Sequence, residues 1–105
     1  MRIVSRKTLR YFWEQHPKAQ KPLESWLEDA KKALWKTPND IKNVYQNVSI
    51  VANNRVVFNI KGNDDRLVLA INYECGIAYI RFIGTHKEYD QIDVTTIWLE
   101  FCYGN

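Results

Sequence analysis

Near Asn47 the apolar residues of this 105-residue chain change their period from that of a helix to that of a strand. Upstream, Leu9, Phe12 and Trp13 fall at i, i+3 and i+4, and Leu23, Trp26, Leu27, Ala30 and Leu34 form one stripe at +3, +4, +7 and +11. Downstream, Val56, Phe58 and Ile60 share one face of a strand, and Leu67-Val68-Leu69-Ala70-Ile71 and the run from Ile77 to Ile83 read as two more. An open antiparallel sheet needs cover on one face, and helices preceding it in the chain can supply that cover. The pattern predicts a two-layer α+β fold: two N-terminal helices packed on a three- to four-stranded antiparallel sheet, with a short C-terminal helix.

Local signals place the breaks. Ser5 is positioned to cap the first helix, and His16-Pro17 ends it because the residue before proline avoids the α region. The second helix is expected between Pro22 and Lys36, with Thr37-Pro38-Asn39-Asp40 as a stop followed by a turn or a short new helix. A weaker strand near Val48–Val51 precedes Asn53-Asn54, a pair able to adopt the positive φ of a hairpin turn. Gly62-Asn63-Asp64 and Cys75-Gly76 are the next turn signals, so the strands should form a meander in sequence order, leaving the face away from the helices free. Phe12, Trp13 and Trp26 sit at core spacing, whereas Trp35 lies just off the stripe and reads as packing or as a partner contact.

Length allows one domain, residues 1–105, with 98–105 an atypically apolar tail, and excludes any enzyme that needs a whole dinucleotide-binding fold. No apolar run approaches the roughly 20 residues of a membrane-spanning helix, and Met1–Lys7 leads into polar residues, so a cytoplasmic protein is expected. Cys75 and Cys102 are too few and too far apart for a disulfide framework and read as free thiols. Neither His16 nor His86 has a partner at ligand spacing, and no metal or cofactor is expected. The net charge of +3 is uneven: residues 1–22 carry Arg2, Arg6, Lys7, Arg10, Lys18 and Lys21 against Glu14 alone. Such a basic face is either a solvated helix surface or a contact for a polyanion.

Two strand arginines are the awkward residues. A guanidinium cannot be neutralised and is costly to bury unpaired, so Arg81, between Ile80 and Phe82, either pairs with an acid or lies on an open sheet face. A two-residue loop at Cys75-Gly76 sets Ala70 opposite Arg81 and Arg66 opposite Thr85, which puts Arg66, Val68, Ala70 and Asn72 on one face with Arg81 and Ile83. A three-residue loop sends the arginines to opposite faces. Just beyond, Gly84-Thr85-His86-Lys87-Glu88-Tyr89-Asp90 gathers groups suited to proton transfer and phosphate binding. The same segment has Thr85 and Glu88 at capping-box spacing.

Arg55–Asn63, Arg66–Tyr73 and the stretch Ile80-Arg-Phe-Ile-Gly-Thr-His-Lys-Glu-Tyr-Asp90 together resemble the HigB toxins of bacterial toxin–antitoxin systems, within the RelE/ParE-like superfamily. The likeness runs from the helical start through about Ile97. It implies a RelE-like fold and a ribosome-dependent endoribonuclease that cuts mRNA in the ribosomal A site, restrained by a HigA-type helix-turn-helix antitoxin. Carried onto this chain, it marks Arg66, Arg81, His86 and Tyr89 as catalytic candidates. Lys61 and Lys87, with Arg6, Lys7 and Arg10 of the basic start, are candidates for RNA and ribosome contact.

The chemistry such an activity needs is small. RNA carries its own nucleophile, the 2′-OH, so cleavage asks for a base, cations facing the crowded phosphorane and an acid for the leaving 5′-oxygen. Two other classes compete with this reading. A ParE-like toxin would bind and block a protein target, and an RNA-binding module would associate with nucleic acid in a salt-sensitive way without cutting it.

Overall fold

The computed structural model describes residues 1–61 and 64–96. The turn expected at Gly62-Asn63, the free thiol expected at Cys102 and the apolar tail lie outside them. Strand β1 (Arg2–Val4) leads into helix α1 (Arg6–Gln15), a 3₁₀ turn (Pro17–Ala19), helix α2 (Gln20–Lys32) and helix α3 (Pro38–Val44). Strands β2 (Ser49–Val51), β3 (Arg55–Ile60), β4 (Asp65–Asn72) and β5 (Ile77–Thr85) follow, and helix α4 (His86–Tyr89) comes last. The five strands form one sheet in the order β1-β5-β4-β3-β2. The α+β architecture and the β2-to-β5 meander agree with the sequence pattern. Strand β1 was not foreseen: three residues carry no readable period, and it joins the far edge by pairing parallel to β5, Ile3 with Ala78.

The helices seal one face of the sheet. Leu9 and Phe12 of α1 and Leu23, Trp26 and Ala30 of α2 are buried with Val56, Phe58, Ile60, Leu67, Leu69, Ile71, Ala78, Ile80 and Ile83. Phe58 is the hub of an aromatic cluster, with ring centroids 5.3 Å from Trp26, 6.0 Å from Trp35 and 5.0 Å from Tyr45. Full burial of a side chain of this size contributes about 1.5–3 kcal/mol, so this layer dominates stability.

Two helix boundaries depart from the sequence reading for identifiable reasons. Ser5 does precede α1, but it adopts the left-handed region (φ 75°, ψ 37°) and its side chain makes no capping bond; its carbonyl instead accepts from Thr8 N–H at 3.1 Å. Helix α2 ends at Lys32 because Ala33 turns extended (ψ 151°). From there the period is two, so Leu34 is 83% exposed although it matches the helical stripe, and Trp35 is buried in the core and serves packing. Thr37 and Asp40 form a reciprocal capping box that starts α3. Asn53 and Asn54 take φ of 62° and 59°, closing the β2–β3 hairpin as their type predicts.

A bulge in β5 sets the arrangement of the second face. Val68 pairs with Phe82 and Leu69 with Ile80, which leaves Arg81 as the extra residue. The alternation therefore reverses: Ile80 and Ile83 both point to the helices, whereas Phe82 joins Val57 and Val68 on the other side. The expectation that Ile83 would share a face with Arg81 fails for this reason. The β4–β5 loop also spans Tyr73–Gly76, since Asn72 pairs with Ile77, so Ala70 faces Tyr79 and Arg66 faces Gly84.

Nor is the second face left free. Tyr89, Ile92 and Val94, together with Val51, pack on Val57, Val68 and Phe82, so the segment after β5 folds back across the sheet. Asn53 Nδ2 donates to Thr95 O at 3.2 Å and ties this segment to the β2–β3 turn.

Candidate functional site

Arginines of three strands reach this second face. Arg66 of β4 lies with its guanidinium 5.8 Å from the centre of the Tyr89 ring, and Arg81 of β5 lies 5.2 Å from that of Tyr79. Cation–π contacts of this kind hold a long side chain over a flat platform, and Arg66 Nη1 also donates to Asp65 O at 3.5 Å. Strand β3 adds Arg55, whose Cα partner on β4 is Ala70, the residue that also faces Tyr79. Burial, and then the charge of Arg81, pull the Arg55 guanidinium below its ordinary pKa.

Helix α4 frames one end. Thr85 accepts from Glu88 N–H at 3.3 Å while Glu88 Oε1 accepts from Thr85 N–H at 2.8 Å, the capping box expected from the spacing. Gly84 is required beneath it, because a Cβ there would stand 2.5 Å from the Phe82 ring and 2.8 Å from Glu88 Oε1. The helix presents His86 and Lys87 to solvent and turns Tyr89 inward. His86 Nε2 lies 3.6 Å from Asp90 Oδ2, an ion pair when the imidazole is protonated.

The remaining candidates are dispersed. Lys61, in the left-handed region at the end of β3 (φ 54°), lies 3.7 Å from Asp64 and 4.0 Å from Asp65, so part of its charge is neutralised internally. Arg6, Lys7 and Arg10 belong to the helical layer, where with Arg2, Lys31 and Trp13 they line a cleft beside β1. They are thus on the side of the sheet opposite Arg66 and Arg81. Sequence reasoning missed Arg55 and Tyr79 as site residues. Alternation with Val56 and Phe58 already placed Arg55 on the second face, but its nearness to Arg81 depends on the β3–β4–β5 register. Among the described residues no cluster of His, Cys, Asp or Glu is suited to hold a metal ion.

Asp65 is the one buried acid among the described residues. It is 3% exposed, Oδ2 has no hydrogen-bond partner among the described residues, and burial raises its carboxyl above the ordinary value, with Lys61 acting in the opposite direction. A folded-state pKa above the unfolded one means that the folded state loses stability as pH rises through that window. Asp65→Asn should therefore melt higher than the parent chain at pH 7, and the gap should close as pH falls toward about 4. Thermal denaturation of both at several pH values checks this; a gap that does not change with pH would refute it.

A small α+β protein with a helix-sealed core on one sheet face and an arginine-lined second face is the class that fold and site define. Residues 19–92 match the family model of HigB_toxin, described as the RelE-like toxic component of a toxin–antitoxin system. The chain is 30% identical over 92 residues to the mRNA interferase toxin HigB of Escherichia coli K12, covering 86% of this chain and 88% of that protein. The same values hold for the mRNA interferase HigB of Escherichia coli O157:H7 and of Shigella flexneri. The chain belongs to the HigB family of RelE-like toxins. Toxins of such systems are paired with an antitoxin, and among the described residues no helix is long and apolar enough to cross a membrane.

Proposed function

We propose that this protein is a ribosome-dependent mRNA endoribonuclease that inhibits translation in the cytoplasm and is held inactive by a HigA-type helix-turn-helix antitoxin. The observation that carries the reading is the convergence of Arg66, Arg81 and Tyr89 on one sheet face, beside the helix that bears His86. The names of the relatives, mRNA interferases, support the same substrate.

The proposed reaction needs no metal. The RNA 2′-OH gives up its proton to a base, its oxygen forms a bond to the adjacent phosphorus, and the bond from phosphorus to the 5′-oxygen breaks as that oxygen takes a proton. Arg66 and Arg81 stabilise the added charge on the pentacoordinate phosphorus. His86, exposed at the start of α4, moves the proton, and Tyr89 holds Arg66 in place. Lys87, and Lys61 to the extent its acids allow, contact flanking phosphates. Arg6, Lys7 and Arg10 face ribosomal RNA from the opposite layer, so the chain would be held between ribosome and message.

Primer extension on messages after induction tests the reading. Discrete cuts in translated messages, and none when naked mRNA is mixed with purified protein, are expected. Intact messages accompanied by a supercoiling defect would point to a protein target instead. Salt-sensitive RNA binding with no cuts, with or without ribosomes, would leave a binding module. Within the same assay Tyr89→Phe should cleave close to the parent rate, because the ring under Arg66 is kept. Tyr89→Ala should cleave poorly, because both the platform and the packing on Val57, Val68 and Phe82 are lost.

A further inference from the structure

Ala70 sits between two site residues on the second face. Its neighbours across the two pairings are Arg55 on β3 and Tyr79 on β5, so only a single buried methyl group separates them. Arg81 covers the Tyr79 ring on one side of Ala70 and Arg55 stands on the other. Two guanidinium groups therefore approach each other above a small apolar floor. Arg55 is only half exposed, its Nη1 donates to Asn53 O at 3.3 Å, and its Nε is buried with no hydrogen-bond partner among the described residues. Like charges held this close and partly out of water repel, and a bound anion is the species that relieves the repulsion.

Position says which anion. Arg55 pairs with Ala70 and Asn59 pairs with Arg66, so along β4 Arg55 and Arg66 stand four residues apart, roughly 13 Å at strand spacing, with Arg81 between them. The three arginines stand on three adjacent strands at different heights of one face, a spread wider than a lone carboxylate spans and suited to successive phosphates of one single strand. We propose that Arg55 is a phosphate clamp for the RNA strand, holding the phosphate next to the one that Arg66 and Arg81 face. This rests on the nuclease reading for the identity of the strand. Arg55 is a positioning residue: it fixes where the strand lies without touching the bond that breaks.

The test pairs cleavage with binding. In ribosome-dependent cleavage, Arg55→Ala should raise KM about tenfold, the worth of one charged hydrogen-bonded contact, with kcat close to the parent value. A single-stranded DNA oligonucleotide, which has no 2′-OH and is not cut, serves as the binding probe. Its affinity should fall by a similar factor, and the slope of log affinity against log salt should lessen by about one phosphate contact. Arg55→Lys should restore the slope. Arg55→Glu separates binding from structure, since it can pair with Arg81 and so keep the melting temperature while losing more affinity than the alanine variant. Unchanged KM and salt slope in Arg55→Ala would overturn the clamp. So would a fall in kcat that tracks a lowered melting temperature, which marks a structural role through the bond to Asn53. If the parent chain cuts no message, the nuclease reading falls separately, and the DNA-binding arm still decides whether Arg55 holds a phosphate.

Discussion

Arg81→Ala should lower single-turnover cleavage of a ribosome-bound message about 10²–10³-fold, the usual loss when one oriented donor to developing charge is removed. The bulge is the reason for expecting so much from one side chain. It leaves Arg81 outside the regular pairing of β4 and β5, on the same face as Tyr79, whose ring then fixes it there at 5.2 Å. Charge held in place before the substrate arrives needs little reorganisation during the reaction. Arg81→Lys keeps the charge but not the planar fork, so it should recover only part of the loss. His86→Ala should fall by at least about 10²-fold if the imidazole carries the proton. Near-parent rates in both Arg81→Ala and His86→Ala would sink the assignment. Removing Arg81 takes one of two adjacent like charges away and leaves the helix-covered core untouched, so melting temperatures alongside the rates will show that folding is not what fails.

Phe58→Ala should destabilise the chain by about 3–5 kcal/mol, out of a total that for a domain of this size is about 5–15 kcal/mol. Phe58 is 2% exposed and touches aromatic rings from α2, from the segment after it, and from the residue that ends α3. Three large neighbours cannot all move into the space left by one ring, so most of the cavity should persist. Urea denaturation measures the loss; a change below about 1 kcal/mol would mean that the cluster re-forms around the gap.

Much of this arrangement is legible in the residues. The change of period near Asn47 gives the two layers, the His16-Pro17 break ends α1 where expected, and Asn53-Asn54 and Thr85–Glu88 form the turn and cap that their types suggest. What escapes is whatever depends on pairing between distant segments. β1 has no period of its own and exists because β5 offers an edge. The bulge at Arg81 leaves no local mark, yet it decides which of Ile80, Phe82 and Ile83 face the helices. Arg55 and Arg81 become neighbours only when three strands are in register.

The parallel pairing of β1 with β5 also bears on the order in which the protein is made. Arg2 bonds through its N–H to Gly76 O and pairs with Ile77, contacts that join the first described strand to the last described one. At about 5–20 residues per second, the first strand leaves the ribosome seconds before its partner exists, and such distant pairings are slow to form. Both neighbours of the strand that carries Arg81 precede it in the chain, so that strand completes the described sheet when it arrives. Assembly of the arginine face is therefore among the latest events in forming the described fold, and it waits on a pairing between residues far apart in sequence.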